Sequence, residues 1–383
     1  MMVGSTRFFA RRGGVPLAAF STALVTALIT SLAVPTALAA GTASATTPAA
    51  NTPAAPAALT QPALVTPKAL HAAMLAVTSA GARLVAAGER GTILYSDDAG
   101  KTWRQAAVPV SVSLTALQFV DAKNGWAVGH QGVVLHTVDG GATWRKQLDG
   151  TQAAALVLLD ASASFGPDRD KEVAQAQHLV DDGPDKPFLD LYFDSPRTGY
   201  VLGAYNLMFR TDDGGATWQP WQSRVANPKG LHLYGMKGAA GAIYLAGEQG
   251  LLLRSTDNGN SFNALATPYK GSYFGVLATR GGALLAYGLR GNAFRSSDRG
   301  ATWTPVTTGV QASLAAGAVM ADGAVVLVSQ GGDVLTSRDD GLTFAAQAGT
   351  ALPLAAVAQA GDGSLVVAGL RGLRRLPYDM LEQ

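Results

Sequence analysis

Short apolar runs, each closed by a glycine-bearing turn, recur along most of the chain. VAAG-ER-GTILYS, WAVG-HQ-GVVLHT, YLAG-EQ-GLLLRS and LAYG-LR-GNAFRS are four of them. Runs this short, rich in Val, Leu and Tyr and broken at a G-x-x-G step, predict paired strands rather than helices. Each leads into one eight-residue pattern, Ser/Thr-x-Asp-x-Gly-x-Ser/Thr-Trp/Phe, which occurs as SDDAGKTW, TVDGGATW, TDDGGATW, STDNGNSF, SSDRGATW and SRDDGLTF. Its aspartates are Asp98, Asp139, Asp213, Asp257, Asp298 and Asp339, and its aromatics are Trp103, Trp144, Trp218, Phe262, Trp303 and Phe344. The aspartates stand 41, 74, 44, 41 and 41 residues apart, a repeat of one supersecondary unit with one long interval.

Each unit reads as a four-stranded antiparallel meander that cannot bury both faces alone. Radial repetition solves this, so the expected fold is all-β, a seven-bladed β-propeller. Six blades carry the motif. The seventh, Leu354 to Tyr378, supplies three strands, and a strand around Leu59 to Thr66 is expected to close it. The motif fits the hairpin between third and fourth strands: the carboxylate accepts backbone N–H bonds across the turn, glycine takes positive φ, and the aromatic tucks between blades. These positions are therefore read as structural. The long interval places an insertion at residues 149–186, in which Pro167-Asp168, RDKEVAQAQHLV and Asp182-Gly183-Pro184 predict a short capped helix.

Residues 1–39 read as a secretory signal: Arg7, Arg11 and Arg12, an apolar run from Val15 to Val34, and Ala37-Leu38-Ala39 as a small-x-small cleavage site. Residues 40–64, rich in Ala, Thr and Pro, read as a flexible linker before a propeller at 65–380. Nothing after residue 39 is apolar for long enough to span a bilayer, so the expected location is exported, on the periplasmic side. The 383 residues are 48% hydrophobic and 15% charged, with no Cys, which excludes a disordered or disulfide-stapled chain. Without the three signal arginines the chain holds 26 Lys and Arg against 27 Asp and Glu, so no global charge points to nucleic acid.

Candidate binding chemistry lies in the turns between second and third strands, on the face opposite the aspartate turns. They carry Glu89-Arg90, His130-Gln131, Ala204-Tyr205, Glu248-Gln249, Leu289-Arg290, Gln330-Gly331 and Leu370-Arg371. Arginine in three of seven turns, Arg90, Arg290 and Arg371, suits carboxylates or an acidic protein loop. Glu89, Glu248, Gln131 and Tyr205 complete the candidate partner-binding set, and the insertion opens on the same face as a lid or docking arm. No metal-ligand set, P-loop or nucleophile elbow is present, and no cofactor is expected.

The repeated T-x-D-G-G-x-T-W element resembles the bacterial neuraminidase repeat, or Asp box. Blades such as NGWAVGHQGVVLHTVDGGATW and TGYVLGAYNLMFRTDDGGATW more closely resemble the photosystem II stability/assembly factor family of cyanobacteria and chloroplasts, over residues 66–378. That resemblance implies a non-enzymatic assembly factor that holds a membrane-protein complex or exporter component at the envelope. It also implies an arginine patch, carried here by Arg90, Arg290 and Arg371. Two alternatives stay open. One is a sialidase-like glycoside hydrolase, for which Glu248 with Tyr205 is the best available pair. The other is a non-catalytic glycan-binding propeller using Tyr234, Tyr269, Tyr273 and Tyr287, residues that equally suit strand packing.

Overall fold

A computed structural model describes residues 56–347 and 352–377. The signal segment and residues 40–55 of the linker lie outside the described residues. Seven sheets follow one another along the chain, each an antiparallel meander in sequence order. Blade one is Met74–Ala80, Arg83–Gly88, Ile93–Ser96 and Arg104–Gln105. Blades two to six repeat this four-strand order from Leu114, Phe188, Leu233, Tyr273 and Leu314. Second strands such as Gly125–Gly129, Gly199–Gly203 and Val325–Ser329 are buried at every position. Both faces of each sheet are covered by neighbouring blades, so the strands read as continuous apolar runs instead of alternating.

The interfaces between blades hold the core. Between blades two and three, buried Trp126 stacks on Phe193 at 3.8 Å with rings 9° from parallel, and on His136 at 4.6 Å. Its indole N–H reaches the Gly214 carbonyl at 3.3 Å.

Closure of the ring differs from expectation. Blade seven has three strands among the described residues, Leu354–Gln359, Leu365–Gly369 and Gly372–Leu376. The segment expected to supply the fourth, around Leu59 to Thr66, forms no strand and runs between 3-10 turns at Ala57–Leu59 and Pro67–His71. Pro62 and Pro67 remove backbone donors that a ladder needs, while Leu59 finds a fully buried place between blades one and two. Ala63 N–H donates to the Val108 carbonyl at 3.0 Å, and Gln105 bonds both Leu64 O and Thr66 N. The flexible linker therefore does not run to residue 64; the chain is packed against the propeller from about residue 56. Blades one and seven close directly, with Met74, Val77 and Ala86 against Ala356, Val366 and Ala368.

The insertion holds two helices where one was expected: α1, Gly150–Ala163, and α2, Arg169–Asp181. Asp149 caps α1 in a reciprocal box with Gln152, a start signal in the residues DGTQ that the sequence reading passed over. Ala153, Val157 and Ala161 of α1 and Ala176 of α2 pack with Leu148, Phe188 and Leu207 between blades two and three. Among the described residues no helix is long and apolar enough to cross a membrane.

Candidate functional site

The turns between second and third strands share one construction. In blades one to five the chain passes through a single 3-10 turn whose central residue has left-handed backbone geometry: Arg90 (φ 53°), Gln131 (55°), Tyr205 (54°), Gln249 (53°) and Arg290 (58°). Side chains other than glycine rarely adopt this conformation. The preceding residue donates its N–H to a carbonyl just before the blade's innermost strand, as in Glu89 to Ala73, His130 to Ser113, Ala204 to Pro187 and Leu289 to Ser272. That close approach requires glycine at the head of the turn: a Cβ on Gly88 would sit 2.1 Å from Ala73 O, and one on Gly129 2.3 Å from Ser113 O. The turns are thus pinned beside the mouth of the central channel.

The candidate residues fall into distinct roles. Arg90, Arg290 and Arg371 are exposed and make no side-chain hydrogen bond or ion pair among the described residues. Other arginines clamp the next blade: Arg83 reaches Gly140 O at 3.2 Å, Arg254 reaches Arg299 O at 2.9 Å, and Arg295 bonds both the carbonyl and the carboxylate of Asp340. Glu89 and Glu248 are not paired with the turn arginines. Glu89 accepts the Ala73 N–H and Glu248 the His232 N–H, each at 3.0 Å, so both carboxylates anchor the entry of an innermost strand. Gln131 is half-buried where α1 begins; a Cβ on its neighbour Gly132 would lie 2.6 Å from Gly150 Cα.

Tyr205 is 62% exposed and stands edge-on to His232 at 4.6 Å, with the Lys186 ammonium 5.5 Å from its ring. Its N–H donates to His232 Nδ1 at 3.2 Å. That nitrogen is therefore an acceptor and cannot donate to Glu248 Oε2, 3.5 Å away. The Tyr205–Glu248 pair considered for glycoside hydrolysis is thus separated by an imidazole, with the carboxylate engaged by a backbone donor. Of the four tyrosines considered as a glycan platform, Tyr273 and Tyr287 are buried, and Tyr269 packs on Tyr273 and Phe294. Tyr234, edge-on to Phe274 at 5.4 Å, lines the channel together with the buried Tyr287.

Sequence reading missed Asp190, which lies in the channel wall on the innermost strand of blade three. Burial raises its carboxyl to about 6, against the opposing pull of the Met236 and Leu191 N–H groups and of Lys237. The signal was available: aligned against the innermost strands of the other blades, FLDLYF carries an acid where they carry Ala or Gly.

The aspartate turns sit at the other end of the third strands and form a repeated cage. Asp98 Oδ1 accepts Ser96 Oγ–H and Thr102 N–H at 2.8 Å each, and Oδ2 accepts Thr102 Oγ–H at 2.6 Å. Asp139, Asp213, Asp257, Asp298 and Asp339 repeat it. The threonine hydroxyl first, then the backbone N–H and the serine hydroxyl, hold Asp98 at about 2. Trp144, Trp218, Phe262 and Trp303 are buried behind these turns, and Trp103 and Phe344 partly so. Among the described residues no group of three or more His, Asp or Glu is arranged to hold a metal.

Comparison with known proteins agrees with this architecture. The family model described as photosynthesis system II assembly factor YCF48 matches residues 97–165 and 170–347, well over half of the chain. A 77-residue stretch is 31% identical to the photosystem II assembly lipoprotein Ycf48 of Synechococcus sp. (strain CC9902); it covers 20% of this chain and 23% of that relative. Solved structures share the fold at low identity. YCF48 bound to D1 peptide has TM-score 0.59 and 16% identity over 80% of this chain and 94% of that one. YCF48 from Cyanidioschyzon merolae has 0.57 and 14% over 81% and 95%. Streptogramin B lyase has 0.60 and 13% over 80% and 95%, so the fold by itself does not select an activity. With its seven meanders and the long family match, the chain belongs to the photosynthesis system II assembly factor YCF48 family.

Proposed function

We propose that this protein is an exported, non-catalytic scaffold. It docks a polypeptide of a membrane-protein complex on the face formed by the turns between second and third strands, and so supports assembly or stability of that complex. The observation that carries this reading is the contrast among arginines. Arg90, Arg290 and Arg371 stand exposed on one face with no side-chain hydrogen bond or ion pair among the described residues, while Arg83, Arg254 and Arg295 are committed to neighbouring blades. Unpaired guanidinium groups held on pinned turns are ready for bidentate contacts with carboxylates of a partner. The relative whose solved structure holds a D1 peptide supports a polypeptide as the bound species. The helical insertion, on the same side of blades two and three, extends this face.

The test is a cross-linked affinity capture from the native cell envelope with wild-type protein and an Arg90/Arg290/Arg371 triple-alanine variant. The proposal expects a defined membrane complex with wild type and its loss with the triple variant. Equal capture by both would overturn the arginine face, and unchanged abundance of every envelope complex after gene deletion would overturn the assembly role.

A further inference from the structure

The innermost strands of the seven blades enter the channel wall in the same way. Each has a register break one or two residues in, between Met74 and Ala76, Leu114 and Ala116, Phe188 and Asp190, Leu233 and Gly235, Tyr273 and Gly275, Leu314 and Ala316, and Leu354 and Ala356. After the break six blades place alanine or glycine, and blade three places Asp190. Among the described residues that line the channel of about 270 Å3, Asp190 is the charged one. It lies next to the residues that pair with the turn end of the second strand, so it belongs to the mouth on the arginine-bearing face.

Its surroundings are built unequally. Asp190 Oδ2 accepts the Met236 N–H at 2.7 Å, across from blade three to blade four. Two backbone N–H groups, those of Met236 and Leu191, face a carboxylate with about four acceptor positions. Lys237, exposed beyond Met236, acts on it through charge and forms no ion pair with it. The next two blades present Tyr234 and Phe274 at the position before the small residue, half-buried and lining the same mouth. Glu248 acts on Tyr234 through charge, and Asp190 acts likewise on the buried Tyr287. The corresponding positions on the far side are Ala315, Ala355 and Leu75. One side of the mouth is thus acidic and aromatic, the other small and aliphatic.

We propose that the channel mouth at blades three to five is a receptor for one alkylammonium or guanidinium group, a lysine or arginine side chain of an extended polypeptide. Asp190 supplies the counter-charge and Tyr234 and Phe274 supply π faces for the cation. Any polypeptide that also meets the arginine turns would then carry a basic anchor within an acidic stretch. The site adjoins the docking face proposed above but stands without it, because a free amine tests it in the absence of a protein partner.

The experiment follows Asp190 in the full chain by NMR of 13C-labelled aspartate carboxylates, titrated alone and with saturating n-butylammonium or n-butylguanidinium. n-Butanol and matched sodium chloride serve as controls. Binding to the ionised carboxylate should lower the Asp190 midpoint by about one pH unit or more, equivalent to about tenfold preference for the charged form. Tyr234 ring resonances should shift in wild type and not in Asp190→Asn. Asp190→Ala, which restores the residue type of the other blades, should behave like Asp190→Asn. An unmoved midpoint with both cations, an equal response to butanol, or the same Tyr234 shift in the variants would overturn the proposal. Loss of the protein partner while the amine still binds would overturn only the docking face.

Discussion

Replacing Asp190 by asparagine should stabilise the propeller at neutral pH and leave it nearly unchanged in acid. In the folded protein burial outweighs the Met236 and Leu191 N–H bonds and raises the carboxyl from 3.8 to about 6. A group with a raised folded pKa contributes stability that is fully present below its unfolded pKa and lost as pH rises through the folded one. The folded state holds the proton that the unfolded chain releases, so wild-type stability falls across the interval between these two values. At about 1.4 kcal/mol per unit the shift corresponds to an upper value of about 3 kcal/mol, and partial access to the channel brings it to roughly 2 kcal/mol. Asparagine is close to isosteric and its carbonyl can still accept the Met236 N–H, so the substitution removes the charge and little else. Urea unfolding followed by tryptophan fluorescence, for both proteins at about pH 4 and about pH 7.5, measures this directly. The other titrating groups are common to both and cancel in the difference. The advantage of the asparagine variant should grow by roughly 2 kcal/mol between the two conditions. A constant difference, or wild type gaining on the variant at higher pH, would refute the claim that a half-buried carboxylate in the channel wall is being ionised against its surroundings.

Other substitutions test the remaining parts. Gly129→Ala would drive a Cβ to 2.3 Å from Ser113 O and should destabilise by more than about 2 kcal/mol, whereas Gly361→Ala meets nothing within 4 Å and should be tolerated in the same thermal melt. Trp126→Ala removes the stack on Phe193 and His136 and should cost about 3 to 5 kcal/mol by urea unfolding. Glu248→Ala should cost about 1 kcal/mol, because the His232 N–H loses its acceptor; Glu248→Gln should recover most of it. Arg90→Gly relieves a left-handed backbone at φ 53° while adding freedom to the unfolded chain, so stability should hold within about 1 kcal/mol, while partner capture falls.

The propeller was legible because its repeat is local: six copies of one turn with fixed polar positions reveal the period, and apolar runs between them reveal the strands. Features that depend on contacts between distant segments were not. Leu59 reads as an isolated apolar residue in an Ala/Pro-rich stretch, yet it is fully buried between blades one and two. Closure of blade seven was misjudged because counting strands cannot weigh the prolines at 62 and 67 against an alternative seat for the segment. Helix α1 has an apolar composition that resembles a strand-forming run, and its cap was visible only in Asp149 and Gln152. The G-x-x-G framing locates the turns between second and third strands, where the structure has them, but not what each side chain contacts. Glu89 and Glu248 face backward to backbone donors, and Gln131 stands against the insertion. Asp190 escaped notice because strand alternation hides a single exception that blade-by-blade alignment exposes.

The proposed function requires one face of the propeller to meet a polypeptide. Site-specific photo-cross-linking tests it most directly, with a photoreactive residue placed at Gln249 on the turn face or at Arg299 on the face of the aspartate turns, in cells that make the full chain. Docking on the turn face should give a defined membrane-protein adduct from position 249, reduced when Arg90, Arg290 and Arg371 are alanine, and none from position 299. An adduct from position 299 alone, or equal adducts from both faces, would contradict it.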